Sequence, residues 1–363
     1  MQKKFFQNKR VCVSGACGTI GSRLVRLLLE EYGVGELVGL DNNESALFFQ
    51  MQRYSGHPGA HFYLADVRDD KKIPRMLQNI DVLFHTAAYK HVLMCEWAPF
   101  EAVQTNILGV RNIIQAANAA RVERVVFTSS DKAVNPTNVM GASKLMGERL
   151  MTAANSTLRE PTPVFSSTRF GNVLGSRGSV LPIFRAQIQK GGPVTLTSEE
   201  MTRFIMSVDQ AVRLVIDSSV LARGGEVFVT KMPVIRIKDL AEVMIQELAP
   251  GFGRDPDKIE IQIIGTNPGE KMYEELMSEE ETRRTWELEE YFVVRPAFDF
   301  KYRKLPDEYP GLVAKSVDRA YHSGNEKVLT KDELADFLKK NNLLLGDGEE
   351  PSHPDERFWP QTP

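Results

Sequence analysis

The feature that most constrains this chain is an alternation. Short apolar runs (RVCVSG, ELVGLD, HFYLADV, DVLFHTAA, RVVFTSS and PVFSSTRF) recur through the first half, separated by helix-patterned stretches. In TIGSRLVRLLLEEYG, Ile20, Leu24, Leu27 and Leu28 fall on one helical face. FEAVQTNILGVRNIIQAANAA reads as another helix. Strands separated by helices imply a parallel sheet covered on both faces, a doubly wound α/β fold. Ligands of such sheets sit at the carboxyl ends of the strands. Past about residue 170 the pattern loosens into NVLGSRGSVLPIF, GGPVTLTSEEMTRF and IGTNPGEKMYEEL. The expected organisation is a cofactor-binding domain over 1–170, carrying a catalytic strip at 129–144. A smaller, mixed substrate-binding region mainly over 171–345 is interleaved with the sheet, and 346–363 is a proline- and charge-rich mobile tail. LTKDELADFLKKN is a helix with Thr330 as its N-cap.

Bulk properties exclude several classes. With 42% hydrophobic and 26% charged residues, the 363-residue chain has ordinary soluble composition. A net charge of −3 gives no polybasic surface for nucleic acid. Cys12, Cys17 and Cys95 show no metal-ligand spacing, so no metal is expected and a reduced, intracellular protein is implied. No apolar stretch approaches the roughly 20 residues that span a bilayer, and MQKKFFQNKR has no apolar leader core. A cytoplasmic protein with no membrane partner is expected.

Gly15, Gly18 and Gly21 form G-x-x-G-x-x-G between the first strand and first helix, with Thr19 and Ile20 inside the turn. Glycines there permit a tight turn and close approach of a pyrophosphate to the helix start in a Rossmann-type sheet, though tight turns before helices often carry glycines with no ligand. Asp41 ends the second strand, about 20 residues on, where a carboxylate accepts from ribose hydroxyls and repels a 2′-phosphate. No arginine follows it in LDNNE, which favours NAD over NADP. The bland alternative is a surface aspartate capping a turn. After the third strand, Asp66 can meet the adenine amino group and Val67 its ring, unless Asp66 merely makes an Asx turn. After the fourth, Ala87 and Ala88 are small enough to lie against pyrophosphate and ribose, with Lys90 and His91 beside them and a structural role favoured for His91.

The fifth strand runs into SSDKAVNPTNVMGASK, so Ser129, Ser130, Asp131 and Lys132 emerge at its carboxyl end. Met140 and Lys144 are i and i+4 on the next helix. Lys144 can bond the nicotinamide ribose, but Met140 offers no exchangeable proton. Asp131 and Lys132, an adjacent acid and base, can divide proton-transfer roles between them. The alternative is a surface ion pair.

SSDKAVNPTNVMGASK, HTAAYKHV, RFGNVLGSRGSVLPIF, EEMTRFIMSVDQAVRLV and NPGEKMYEEL together resemble the extended short-chain dehydrogenase/reductases. Within them the likeness is to the CapD-like polysaccharide-biosynthesis group of nucleotide-sugar 4,6-dehydratases, from about residue 7 to about 300. Some members of that group have tyrosine at the Met140 position, and others carry methionine there and remain active. The resemblance implies oxidation of a nucleotide-linked N-acetylhexosamine at C4, loss of water across C5–C6, and return of hydride to C6. It implies Asp131 as acid at O6, Lys132 as base at C5 and Ser130 bonding O4. The O4 proton leaves through Ser130, Asp131 or a water on Lys144, an open choice. It further implies Asn106 as a brace of the active-site strand and helix, and Asn172, Arg203 and Glu270 as substrate contacts beside Lys90. Asn267 departs from the arginine usual before PGEK. The expected substrate is UDP-N-acetylglucosamine, and a homo-oligomer is expected. The alternatives are a C4 epimerase, the same dehydration on GDP-N-acetylglucosamine, and a non-catalytic sugar-nucleotide binder.

Overall fold

The structure, a computed structural model, describes residues 2–157, 163–176, 178–265, 269–301, 304–305 and 307–344. Asn267 and the 346–363 tail lie outside them. The chain falls into two compact units. Among the described residues, the first comprises those up to Gly171, Val208–Met232 and Glu274–Asn325, and the second comprises Asn172–Ser207, Pro233–Tyr273 and 326–344. The chain thus leaves the first unit at Gly171 and returns to it twice.

The first unit is built on a ten-stranded sheet. Strands β1 (Arg10–Ser14), β2 (Glu36–Asp41), β3 (Ala60–Leu64), β4 (Val82–His85), β5 (Arg124–Thr128) and β6 (Val164–Arg169) lie in the order β3-β2-β1-β4-β5-β6. All of these pairs are parallel, and Val227–Thr230 adds a further parallel strand beside β6. Tyr291–Val294, Thr285–Leu288 and Leu312–Ala314 then extend the sheet antiparallel. This is the Rossmann-type doubly wound sheet, with its order reversing between β1 and β4.

The apolar runs are continuous because both faces are covered. Side chains alternate across a strand. Val11, Val13, Val82, Phe84 and Val126 therefore pack with Leu24, Val25 and Leu28 of the Thr19–Glu30 helix and Val212, Val215 and Ile216 of the Val208–Leu221 helix. Cys12, Leu83, Val125 and Phe127 face the other way, onto Ile113, Ala116 and Ala117 of the Gly109–Ala120 helix. The stretch read as one helix from Phe100 instead contains a π-helical turn over Val103–Leu108. Such turns often mark functional positions, and this one carries Asn106.

Arg169, at the end of β6, is buried and spends all five of its N–H donors. Nε and Nη2 donate to Glu148 at 2.8 and 2.6 Å, Nη1 and Nη2 to Glu281 at 2.8 Å each, and Nη1 to the Leu276 carbonyl at 3.2 Å. The clamp ties β6 to the Val139–Thr157 helix and to the short Glu279–Thr282 helix. The guanidinium holds Glu281 down at about 2 against its burial.

The second unit has a three-stranded sheet of Val234–Arg236, Thr202–Met206 and Asn172–Val173, and a parallel pair of Val194–Leu196 with Ile261–Ile263. Leu181, Phe184, Leu240, Met244, Leu334 and Leu338 belong to its core. Thr330 caps the Lys331–Lys340 helix as expected, in a capping box with Glu333.

Candidate active site

The glycine turn is built for close approach. Gly15 sits at φ 75°, where glycine is favoured, and a Cβ on it would lie 2.7 Å from the Ala87 backbone nitrogen. A Cβ on Gly21 would meet the Gly15 carbonyl oxygen at 2.0 Å. The loops after β1 and β4 therefore press together where the strand order reverses. Gly18 is the N-cap of the helix that Thr19 and Ile20 open, and Ala87 and Ala88 are half-buried.

Asp41 is fixed beside this turn. Its Oδ2 accepts from the Cys17 amide and its Oδ1 from the Asn43 amide, each at 2.9 Å. Each carboxylate oxygen keeps a lone pair for another donor. The glycine cradle and this carboxylate fit the pyrophosphate and ribose of a dinucleotide.

Asp66 does make the Asx turn, accepting from the Arg68 amide at 2.9 Å. It also binds the Arg68 guanidinium, with Nη2 to Oδ2 at 2.6 Å, and this hydrogen bonding lowers its pKa. Arg68 reaches Glu101 as well, at 2.9 Å. Val67 is buried in the core, and a Cβ on Gly109 would lie 2.9 Å from its Cγ2. Lys90 and His91 are exposed, and the His91 side chain makes no cap bond to the helix that follows.

Asn106 is buried and braces two elements. Its Oδ1 accepts from the Tyr89 amide at 2.9 Å, and its Nδ2 donates to the Tyr89 carbonyl at 3.0 Å and to Ser143 Oγ at 2.9 Å. The loop after β4 is so joined to the Val139–Thr157 helix. The start of that helix is fixed by Asn138, whose Oδ1 accepts from the Gly141 amide at 2.8 Å.

The strip leaves β5 while still paired, since the Ser129 amide donates to the Thr168 carbonyl at 2.7 Å. Asp131 opens a 3₁₀ turn and is only 2% exposed, so its pair with Lys132 is not a surface ion pair. Ser130 Oγ donates to Asp131 Oδ1 at 2.6 Å. Lys132 Nζ lies 3.1 and 3.3 Å from the two Asp131 oxygens, and donates to Glu274 Oε1 at 2.9 Å. Glu274 is also buried. It stands in the KMYEEL segment, where the sequence reading gave it no role.

Met140 and Lys144 share the buried face of their helix. Met140 packs with Cys95 and Ala102. Lys144 Nζ donates to the Thr128 carbonyl at 2.9 Å and lies 4.7 Å from the Phe127 ring centre. Burial brings its pKa down to about 8. Beneath it, fully buried His85 bonds Ser14 Oγ through Nδ1 at 2.7 Å, and burial with the nearby Lys144 charge holds it neutral at about 3.

In the second unit, Arg203 is buried, and its Nη1 donates to the carbonyls of Thr202 at 2.8 Å and Met272 at 3.4 Å. Nη2 donates to the Lys271 carbonyl at 2.9 Å, and the guanidinium lies 3.7 Å from Glu270. Asn172 Nδ2 donates to the Phe204 carbonyl at 3.4 Å.

Residues 11–296 match the model of a family described as polysaccharide biosynthesis protein. This chain belongs to that family. Its fold and relatives make it an extended short-chain dehydrogenase/reductase of the CapD-like group. It is 46% identical over 340 residues, 94% of this chain and 98% of the other, to uncharacterized membrane protein MJ1061 of Methanocaldococcus jannaschii. It is 34% identical over 341 residues to an inverting UDP-N-acetylglucosamine 4,6-dehydratase of Campylobacter jejuni, covering 92% and 98% of the two chains. The crystal structure of Pen from Bacillus thuringiensis, 38% identical, superposes with a TM-score of 0.86 over 94% of this chain and 100% of that one. Relatives 35% identical are named UDP-glucose 4-epimerase. The chain spans 46% of the length of CapD of Staphylococcus aureus and of EpsC of Bacillus subtilis. Among the described residues no helix is long and apolar enough to cross a membrane.

Proposed function

We propose that this protein is an NAD-dependent nucleotide-sugar 4,6-dehydratase acting on UDP-N-acetylglucosamine. The observation that carries the reading is the buried Asp131, hydrogen-bonded to Lys132 at the carboxyl end of β5. An elimination needs an acid and a base side by side, and a C4 epimerase does not. Bound NAD would supply the oxidation at C4 and the reduction at C6. It would be held by the Gly15–Gly21 turn, Asp41, Asp66, Val67, the Ala87–Ala88 loop and Lys144. Lys132 then takes the C5 proton, made acidic by the neighbouring ketone, and Asp131 gives a proton to the departing O6. Ser130 bonds O4, and Asn106 ties the loop after β4, not the strand β5 itself, to the helix that carries Lys144. By the family resemblance, Asn172, Arg203 and Glu270 are contacts of the substrate nucleotide.

Incubation with UDP- and GDP-N-acetylglucosamine, read by mass spectrometry, tests this. The product of the UDP sugar should be lighter by one water. An isomer of unchanged mass would support the epimerase reading, which the relatives named UDP-glucose 4-epimerase favour. No turnover of either sugar would sink both.

Two variants probe the site. Asp41→Ala should weaken NAD about 10–100-fold, the worth of charge-assisted hydrogen bonds at about 1.5–3 kcal/mol, and relax the rejection of NADP. Binding titrations of both dinucleotides check this, and an unchanged preference would remove Asp41 from the ribose. Met140→Leu is close to volume-conserving and should cost less than about 1.5 kcal/mol of stability. Activity should stay within a few-fold of wild type. A loss of about a hundredfold or more, the scale of a general acid–base group, would show that the thioether takes part.

A further inference from the structure

We propose that Glu274 is a positioning residue for the elimination, one that aims the Lys132 amine at the C5 proton. The proposal rests on the dehydratase reading. A neutral primary amine has two N–H bonds and one lone pair in tetrahedral directions. On a flexible four-carbon stem, one acceptor leaves the amine free to rotate about that single hydrogen bond. Two acceptors fix both N–H bonds and leave the lone pair one direction. Lys132 has those two acceptors, Asp131 at 3.1 Å and Glu274 at 2.9 Å. The side chains of both carboxylates are closed to solvent, at 1% and 5%, while that of Lys132 is 28% exposed, so the amine is the accessible member of the group.

Glu274 is held as an anchor would be. Its amide donates to Ser323 Oγ at 3.0 Å, and its carbonyl accepts from the Ser323 amide at 2.9 Å. Ser323 is fully buried. The next residue, Glu275, accepts from Asn135 Nδ2 at 3.0 Å, so consecutive carboxylates grip both ends of the Lys132–Asn135 turn.

The proton count separates Glu274 from the acid and the base. In the elimination the C5–H bond breaks, its proton goes to Lys132 Nζ, and the electron pair forms the C5–C6 double bond. The C6–O bond breaks, and the oxygen leaves as water with the proton of Asp131. Lys132 is then an ammonium and Asp131 a carboxylate, within hydrogen-bond reach, so one transfer between them restores both. Glu274 neither gains nor loses a proton.

The test uses Glu274→Ala and Glu274→Gln, the glutamine keeping an acceptor oxygen without the charge. In a single turnover with UDP-N-acetylglucosamine, the alanine variant should oxidise C4 within a few-fold of the wild-type rate, read by reduced-nicotinamide absorbance. It should lose water about 10–100-fold more slowly, part of the roughly 10²–10⁴-fold that a general base contributes. The glutamine variant should recover most of that loss. Water loss at the wild-type rate in the alanine variant, an equal fall in both steps, or glutamine no better than alanine would each overturn the proposal. A second readout needs no turnover: competitive acetylation of substrate-free protein by acetic anhydride, with the Lys132 peptide quantified by mass. Lys132 should label several-fold faster in Glu274→Ala than in wild type, and equal labelling would disprove the anchoring contact. A wild-type enzyme that epimerises overturns the dehydratase reading and this role with it, while the labelling still decides whether Glu274 restrains Lys132.

Discussion

Lys132→Ala should oxidise its sugar and then stop. The C5 proton becomes acidic only after C4 is a ketone, so a missing C5 base leaves the preceding step intact. Mixed rapidly with UDP-N-acetylglucosamine, the variant should develop reduced-nicotinamide absorbance in one turnover and keep it. The bound sugar should be two hydrogens lighter and still carry its C6 oxygen. Steady-state loss of water should fall about 10²–10⁴-fold, the contribution of a general acid–base group. The geometry favours this stall, because Lys132 is half-buried while the two carboxylates it touches are buried. Absence of the absorbance change would assign Lys132 to binding or oxidation instead. Dehydration at the wild-type rate would place the C5 base outside the strip.

Arg169→Ala should cost about 3–5 kcal/mol of folding stability, the usual penalty for leaving buried charge without its partner. Here two carboxylates, Glu148 and Glu281, would be stranded together. Lysine should not rescue, since an ammonium cannot reproduce a five-donor fork. The effect has a pH signature. Glu281 is held at about 2, below its ordinary 4.5, so its pairing stabilises the fold fully above pH 4.5 and that contribution is lost as pH falls through 2. Urea unfolding should therefore show a large gap between variant and wild type at neutral pH, narrowing below about pH 4.5. A gap under about 1 kcal/mol at pH 7, the scale of an exposed ion pair, would refute the clamp's importance.

Sequence made part of this site legible. Most of the parallel strands were readable as short, largely apolar runs between helices, β6 less so with its Ser166, Ser167 and Thr168, and Gly15 and Asp41 because the turn and strand end they occupy have fixed chemistry. The strip was readable because its residues are neighbours in the chain. Glu274 was not, since it reaches Lys132 across 142 residues and no periodicity encodes such a meeting. The Arg68 clamp on Asp66 was equally hidden, because an arginine two residues on can as easily face water. The strands at Thr285–Leu288, Tyr291–Val294 and Leu312–Ala314 have three or four residues each, too few for an alternation to register. The π-helical turn breaks a run that hydrophobic spacing alone reads as unbroken helix.

The order in which the chain visits its two units governs how the enzyme can come into being. It passes from one to the other five times, and the first unit is not finished until residue 325. During synthesis the nucleotide-binding strands β1–β6 emerge early, yet the seaward edge of β6 stays bare until Val227–Thr230 follows, and an unpaired strand edge invites association with other chains. Glu148 and Arg169 wait longer still, for Glu281. A fragment ending at 171 would thus be a sticky half-sheet rather than a small cofactor-binding protein. Splitting, domain swapping or fusion by cutting near 170 should yield aggregate, and any working dissection of this enzyme has to keep Glu274–Asn325 with the strands that come first.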